Sequence, residues 1–183
     1  MNTVPQNALR RLPRSFFALT FILISISTNA LAQQATLDSL PRAAGWVVYD
    51  LENIFTYKQE EKLSQLITNF EKETTVEIAV LTLDTSAITT DNFDAFILAV
   101  ANRWGVGKAG KDNGVVIGIS KGLRYISVQN GYGIEKELTD AETKQIIDTR
   151  FLPKFKRGKY YKGTKNGLKA LMNELKTTNA ATP

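Results

Sequence analysis

The chain has 183 residues, 43% of them apolar, no cysteine, no histidine and a formal charge of +5. The missing residues exclude Ser-His-Asp and Cys-His catalysis, phosphohistidine chemistry and ordinary zinc sites. The fold must rest on an apolar core without disulfides, and any hydrolysis must use carboxylates, hydroxyls, Lys or Arg, with an oxygen-liganded metal.

Residues 1–32 read as a signal peptide. Arg10, Arg11 and Arg14 precede an apolar stretch from Phe16 to Ile26, and Ala30-Leu31-Ala32 supplies an A-x-A site. The uncharged run of about fifteen residues falls short of the ~20 that span a bilayer. Cleavage near Ala32 is therefore expected, with export to the periplasm or beyond and no transmembrane segment in the mature chain. Removal takes three of the 23 Lys and Arg and none of the 18 Asp and Glu, leaving 20 − 18 = +2. That charge is uneven, because residues 150–176 carry nine basic residues against Glu174 alone. Such a run is either a solvated helical face or a contact for anionic lipid, polymer or an acidic partner.

Residues 33–45 are polar and aperiodic, and read as a flexible lead-in. A short edge strand follows at 46–50. Thr56 and Gln59 form a capping-box pair that opens a helix, with Leu63, Leu66, Ile67 and Phe70 on one face. The β-branched run 76–84 reads as a central strand. A second helix begins near Asp91, with Phe93, Phe96, Ile97, Val100 and Trp104 as its stripe. Residues 115–120 suit a strand buried on both faces, and Lys121-Gly122 turns the chain into an antiparallel partner. Thr139 and Glu142 cap a further helix that should stop at Pro153. Leu168, Leu171, Met172 and Leu175 mark the last helix, and 177–183 read as a disordered tail. The expected domain is 46–176, an α/β fold with helices on both faces of a small mixed sheet.

Gly105, Gly110 and Lys111 fit the G-x-x-x-x-G-K frame of a phosphate-binding loop. That loop follows a strand and opens a helix, whereas here the order is helix, loop, strand. Asp112 also occupies the position where Ser or Thr would hold magnesium, so no nucleotide site is expected. Asp112-Asn113-Gly114 is itself a turn signal. The parallel and antiparallel pairings should bring Asn130 to Glu135 and the helix start at Thr139-Asp140 to the edge where Asp112 sits. Asp112, Asn113, Glu135 and Asp140 then form a candidate oxygen-ligand set for calcium or magnesium. Asp50 and Asp84 should lie away from Asp112, unless the loop at 51–55 brings Asp50 back.

The segments "VYDLENIFT", "WGVGKAGKDNGVVIGIS", "NGYGIEKELTDA" and "FLPKFKRGKYYKG" resemble the TPM domain, named from a thylakoid lumen protein, a photosystem II repair protein and a nematode receptor accessory protein. The resemblance implies a three-layer α/β/α sandwich and an extracytoplasmic or lumenal setting. It also implies one of the roles proposed for family members: phosphatase, divalent-metal binder, or assembly or repair accessory. Carried onto this sequence, it points to Asp112 and Asn113, with Asp50 as a weaker addition. Many bacterial relatives continue into a transmembrane helix and a Gly-rich tail, and neither appears before Pro183.

Two functions follow as expectations. The first is a metal-binding accessory or interaction module of the cell envelope. Its basic 150–176 face would dock on an envelope or membrane-associated protein and not on nucleic acid. The second is metal-dependent phosphomonoester hydrolysis with Asp112 as a catalytic carboxylate.

Overall fold

A computed structural model describes residues 30–41, 45, 47–84 and 86–181, the last five by main chain alone. Most of the expected signal peptide, residues 1–29, lies outside the described residues.

Four strands form one sheet in the order β1-β2-β3-β4: β1 (Val48–Asp50), β2 (Glu77–Thr82), β3 (Gly114–Ser120) and β4 (Tyr125–Asn130). The first three are parallel, pairing Val48 with Val80 and Ile78 with Val115, and β4 returns antiparallel with Val128 opposite Ile117. All seven residues of β3 are buried, as expected of a strand covered on both faces.

Alternation along the strands sorts side chains into two cores. Ile78, Val80, Val115, Ile117 and Ile119 face α2 (Tyr57–Thr74) and α7 (Tyr160–Ala181). Ala79, Leu81 and Val116 face α3 (Phe93–Trp104). The result is the expected three-layer α/β/α sandwich. The expected capping boxes are both present, Thr56 with Gln59 at α2 and Thr139 with Glu142 at α5 (Asp140–Ile146).

The structure departs from the sequence reading in three places. The lead-in is helical over 30–39, here α1, and puts Leu37 and Leu40 against the α3-side core. Asp38 anchors it through a 2.8 Å ion pair with Arg103. The polar composition hid this, because only two apolar residues make the contact.

The second departure is at Pro153, which does not end the helix that α5 begins. Residues Ile147–Phe151 wind as a π-helix, with the Leu152 N–H bonded to the Ile147 carbonyl, and Pro153 sits in the first turn of α6 (Leu152–Phe155). A proline is tolerated there because its missing N–H has no intrahelical partner in a first turn. Third, α7 continues to Ala181, so the main chain of the expected disordered tail is helical that far. No Pro or Gly intervenes after Gly167 to stop it.

Phe151, fully buried, locks the π segment to α7, and its ring occupies the space a Cβ at Gly167 would fill. Alanine in a helix gains about 1 kcal/mol over glycine, but overpacking a closed core costs typically 1–3 kcal/mol. Gly167→Ala is therefore expected to lower the melting temperature. A rise would show that the Phe151 ring can yield.

Candidate functional site

Helix α3 ends at Gly105 in the left-handed conformation, and residues 106–113 lead into β3. The order helix, loop, strand is the one read from the sequence. Asn113 pins this loop from inside. Its Oδ1 accepts from the Lys108 N–H at 2.8 Å, and its Nδ2 donates to the Thr75 carbonyl at 3.0 Å. The Lys108 ammonium bonds Glu71 at 2.8 Å and also Glu77, and the Gly107 N–H donates to Glu77 at 2.9 Å. Lys111 reaches Thr75 Oγ1 at 3.3 Å. Both lysines are thereby drawn towards α2 and β2.

These bonds set the charge states of the loop. Burial pushes the Glu77 carboxyl up, but the bonds from Lys108 and Gly107 outweigh it and leave the group below its ordinary range. The bonds to Glu71 and Glu77 push the Lys108 ammonium well above its ordinary value.

Asp112 lies on the other side of the loop, at φ 49, a left-handed conformation that Asp tolerates better than most residues. Its carbonyl accepts from the Gly133 N–H at 3.1 Å, and the Gly114 carbonyl accepts from the Gly131 N–H at 2.8 Å. The two chains approach so closely that a Cβ at Gly131 would overlap the Asp112 carbonyl oxygen. One at Gly133 would overlap that of Lys111. Two glycines are required here for proximity alone.

The short helix α4 (Tyr132–Glu135) follows at once and brings Glu135 to the same place. A cleft of about 400 Å³ results, and among the described residues Asp112 and Glu135 are its only charged lining. Leu98, Asn102, Gln129 and Tyr132 line it as well. Leu98 is 47% and Tyr132 77% exposed. Asn130, also on the wall, donates to Thr143 at 2.9 Å, while its buried Oδ1 has no hydrogen-bond partner among the described residues. Neither the Asp112 nor the Glu135 carboxylate engages in an ion pair or side-chain hydrogen bond with the described residues.

Of the expected ligand set, Asp112 and Glu135 line the same cleft and the rest do not. Asn113 faces inward, with its amide already bonded on both sides. Asp140 lies at the start of α5 and lines a separate groove along β4, with Arg124 and Lys144. Asp50 is at the opposite sheet edge, where its carboxylate accepts from the Ile54 and Phe55 N–H groups (3.1 and 2.7 Å) and from Thr82 Oγ1 at 2.5 Å. It is a loop staple. Among the described residues no group of three or more Asp or Glu is placed to hold a metal ion.

Sequence reasoning missed Leu98 and Asn102. Leu98 was discoverable, since it is apolar yet stands off the Phe93–Trp104 stripe. Glu52 was missed at the far edge. It accepts from the Lys121 and Gly122 N–H groups at 2.8 and 3.1 Å, and burial, helped by Asp84 and Asp50, pushes its carboxyl up.

The sequence profile of the TPM domain matches residues 48–174. The chain belongs to the TPM domain family. Three solved structures resemble this TPM domain. The N-terminal domain of a protein from P. gingivalis is 28% identical, with a TM-score of 0.70 over 77% of this chain and 91% of its own. BA42 from the psychrophilic bacterium Bizionia argentinensis shares the fold at 20% identity and TM-score 0.58, over 70% of this chain and 86% of its own. The N-terminal domain of cg2496 from Corynebacterium glutamicum shares it at 13% and 0.54, over 79% and 87%. No curated protein matches the sequence.

Two stability predictions follow from the loop. Asn113→Ala leaves the Lys108 N–H and the Thr75 carbonyl without their partner. A loss of about 1–3 kcal/mol is expected, read by urea unfolding. The lowered Glu77 carboxyl stabilises the fold above its unfolded pKa, and that contribution disappears as pH falls through the folded value. The wild type should therefore lose stability below pH about 4.3 more steeply than Glu77→Gln, measured as denaturation midpoints against pH.

Proposed function

We propose that this TPM domain is an exported accessory domain that recognises a divalent cation at the Asp112–Glu135 cleft, calcium being the ion that suits it best. The observation that carries the proposal is the two carboxylates, unpaired among the described residues, in a cleft from which Lys108 and Lys111 are drawn away. Calcium accepts irregular shells of oxygen ligands, whereas magnesium demands near-octahedral geometry. Two carboxylates make an incomplete shell, and water, main-chain carbonyls or an acidic group of a bound partner would complete it. Affinity then falls in the weak range typical of extracellular modules, about 10⁻⁴–10⁻³ M.

Export is supported by the sequence of residues 1–32, and no described helix is long and apolar enough to cross a membrane. The basic 150–176 face supports docking to an envelope component.

The same carboxylates would hold the metal for phosphomonoester hydrolysis. That reading is second. The described cleft brings no Lys or Arg to the phosphoryl oxygens, and stabilising their charge is the main task in such a transfer. If the protein hydrolyses a generic phosphomonoester, and Asp112→Asn does not, the order of the two readings reverses.

Melting with calcium tests the binding reading. Tenfold above Kd, one site adds about 1.4 kcal/mol, so a clear rise in melting temperature is expected at 10 mM calcium. Asp112→Asn and Glu135→Gln should each abolish it. No rise in the wild type removes calcium from the account.

A further inference from the structure

The basic residues of the C-terminal segment concentrate at one corner. Lys154, Lys156, Arg157, Lys159 and Lys162 surround the turn between α6 and α7, where Gly158 takes φ 70. Lys156, Arg157, Lys159 and Lys162 are exposed, and among the described residues none of the five forms an ion pair. One carboxylate whose charge reaches the corner is Glu52, beside Tyr160, and its oxygens already accept from Lys121 and Gly122. The corner is thus a cluster of uncompensated cations.

Its shape and its aromatic residues narrow the partner. A shallow pocket of about 340 Å³ opens between Ile54 and the start of α7, with Lys159 and Lys162 on its rim beside Tyr160 and Tyr161. The Lys165 ammonium lies 6.0 Å from the centroid of the Tyr161 ring. Both tyrosines are half-buried and packed against the core beside the basic residues, a combination suited to a membrane–water boundary. Single-stranded nucleic acid would instead require exposed aromatic faces for base stacking.

We infer that the α6–α7 corner docks on an anionic lipid surface, with the pocket beside Lys159 and Lys162 taking a phosphodiester headgroup. The inference is separate from the cation reading of the cleft. It also sets an orientation. Tyr160 feels the charges of Glu52 and Arg124, which places the corner at the edge where β1, β2 and β3 end. The Asp112 cleft lies where β2 and β3 begin. The length of β3, roughly 23 Å for seven residues, separates the two. A domain docked by its corner presents the cleft away from the bilayer.

The test is flotation with lipid vesicles. Both cores draw on described residues from Leu37 onward, so residues 33–183 retain the sandwich and lack the apolar N-terminal stretch that would insert by itself. Binding is expected to vesicles containing phosphatidylglycerol, to be lost in 0.5 M salt, and to be absent with phosphatidylcholine alone. Each cation near such a surface contributes about a five-fold preference. Lys156→Gln/Arg157→Gln/Lys159→Gln should therefore weaken partitioning about a hundredfold, with the melting temperature confirming that the variant folds. Asp112→Asn should bind vesicles like the wild type, so the two readings fail separately. Equal binding to neutral vesicles, or no loss in the triple variant, overturns the inference. So does binding to an acidic polypeptide with none to vesicles.

Discussion

The main chain at Gly131 and Gly133 lies against the carbonyls of Lys111 and Asp112 with no space for a side chain, and the cleft depends on that contact. It fixes the end of β4 to the turn that begins β3, two segments about twenty residues apart in sequence. A bulky residue at either glycine would force the strands apart and carry Glu135 away from Asp112. The contact holds only because β3, buried along its whole length, is itself immovable between two cores. A rigid strand, a turn strained to φ 49 and two glycines together hold Asp112 in place without using its carboxylate.

That carboxylate holds no other part of the described structure in place, unlike several acids elsewhere in the chain. Asp50 and Glu52 serve backbone N–H groups at the far edge, and Glu77 and Glu71 hold Lys108. These are structural uses, and each satisfies donors that burial would otherwise leave costly. Asp112 and Glu135 serve no such purpose within the described residues, and the left-handed turn at Asp112 has a local cost. The turn lets the Asp112 carbonyl accept from the Gly133 N–H, while the carboxylate itself has no structural use among the described residues.

Much of this was legible in the sequence because it rests on periodicity. Alternation and the run of β-branched residues gave β2 and β3, and the Lys121-Gly122 turn gave the hairpin. From those pairings the approach of Asn130–Glu135 to Asp112 followed. What stayed hidden depends on where single side chains point. Nothing in "KDNG" says that Asn113 turns inward while Asp112 turns out, nor that Asp140 faces a different groove. The helix 30–39 was hidden for a similar reason, since two leucines in a polar stretch give no usable period. Pro153 misled because a π turn lets a proline start a helical segment where a regular α-helix would have to stop.

Among the described residues, cations without ion-pair partners gather at the α6–α7 corner, and the Asp112–Glu135 cleft lies at the opposite end of the sheet. An accessory domain held at a surface by one end and open to a cation at the other is the simplest arrangement consistent with both. The central claim is that Asp112 and Glu135 form the cation site. Calcium titration followed by backbone amide NMR tests it most directly. The account predicts saturable shifts confined to 111–114 and 131–135, absent in Asp112→Asn. Shifts centred instead on Asp50, Glu52 and Asp84, or none at all, would contradict it.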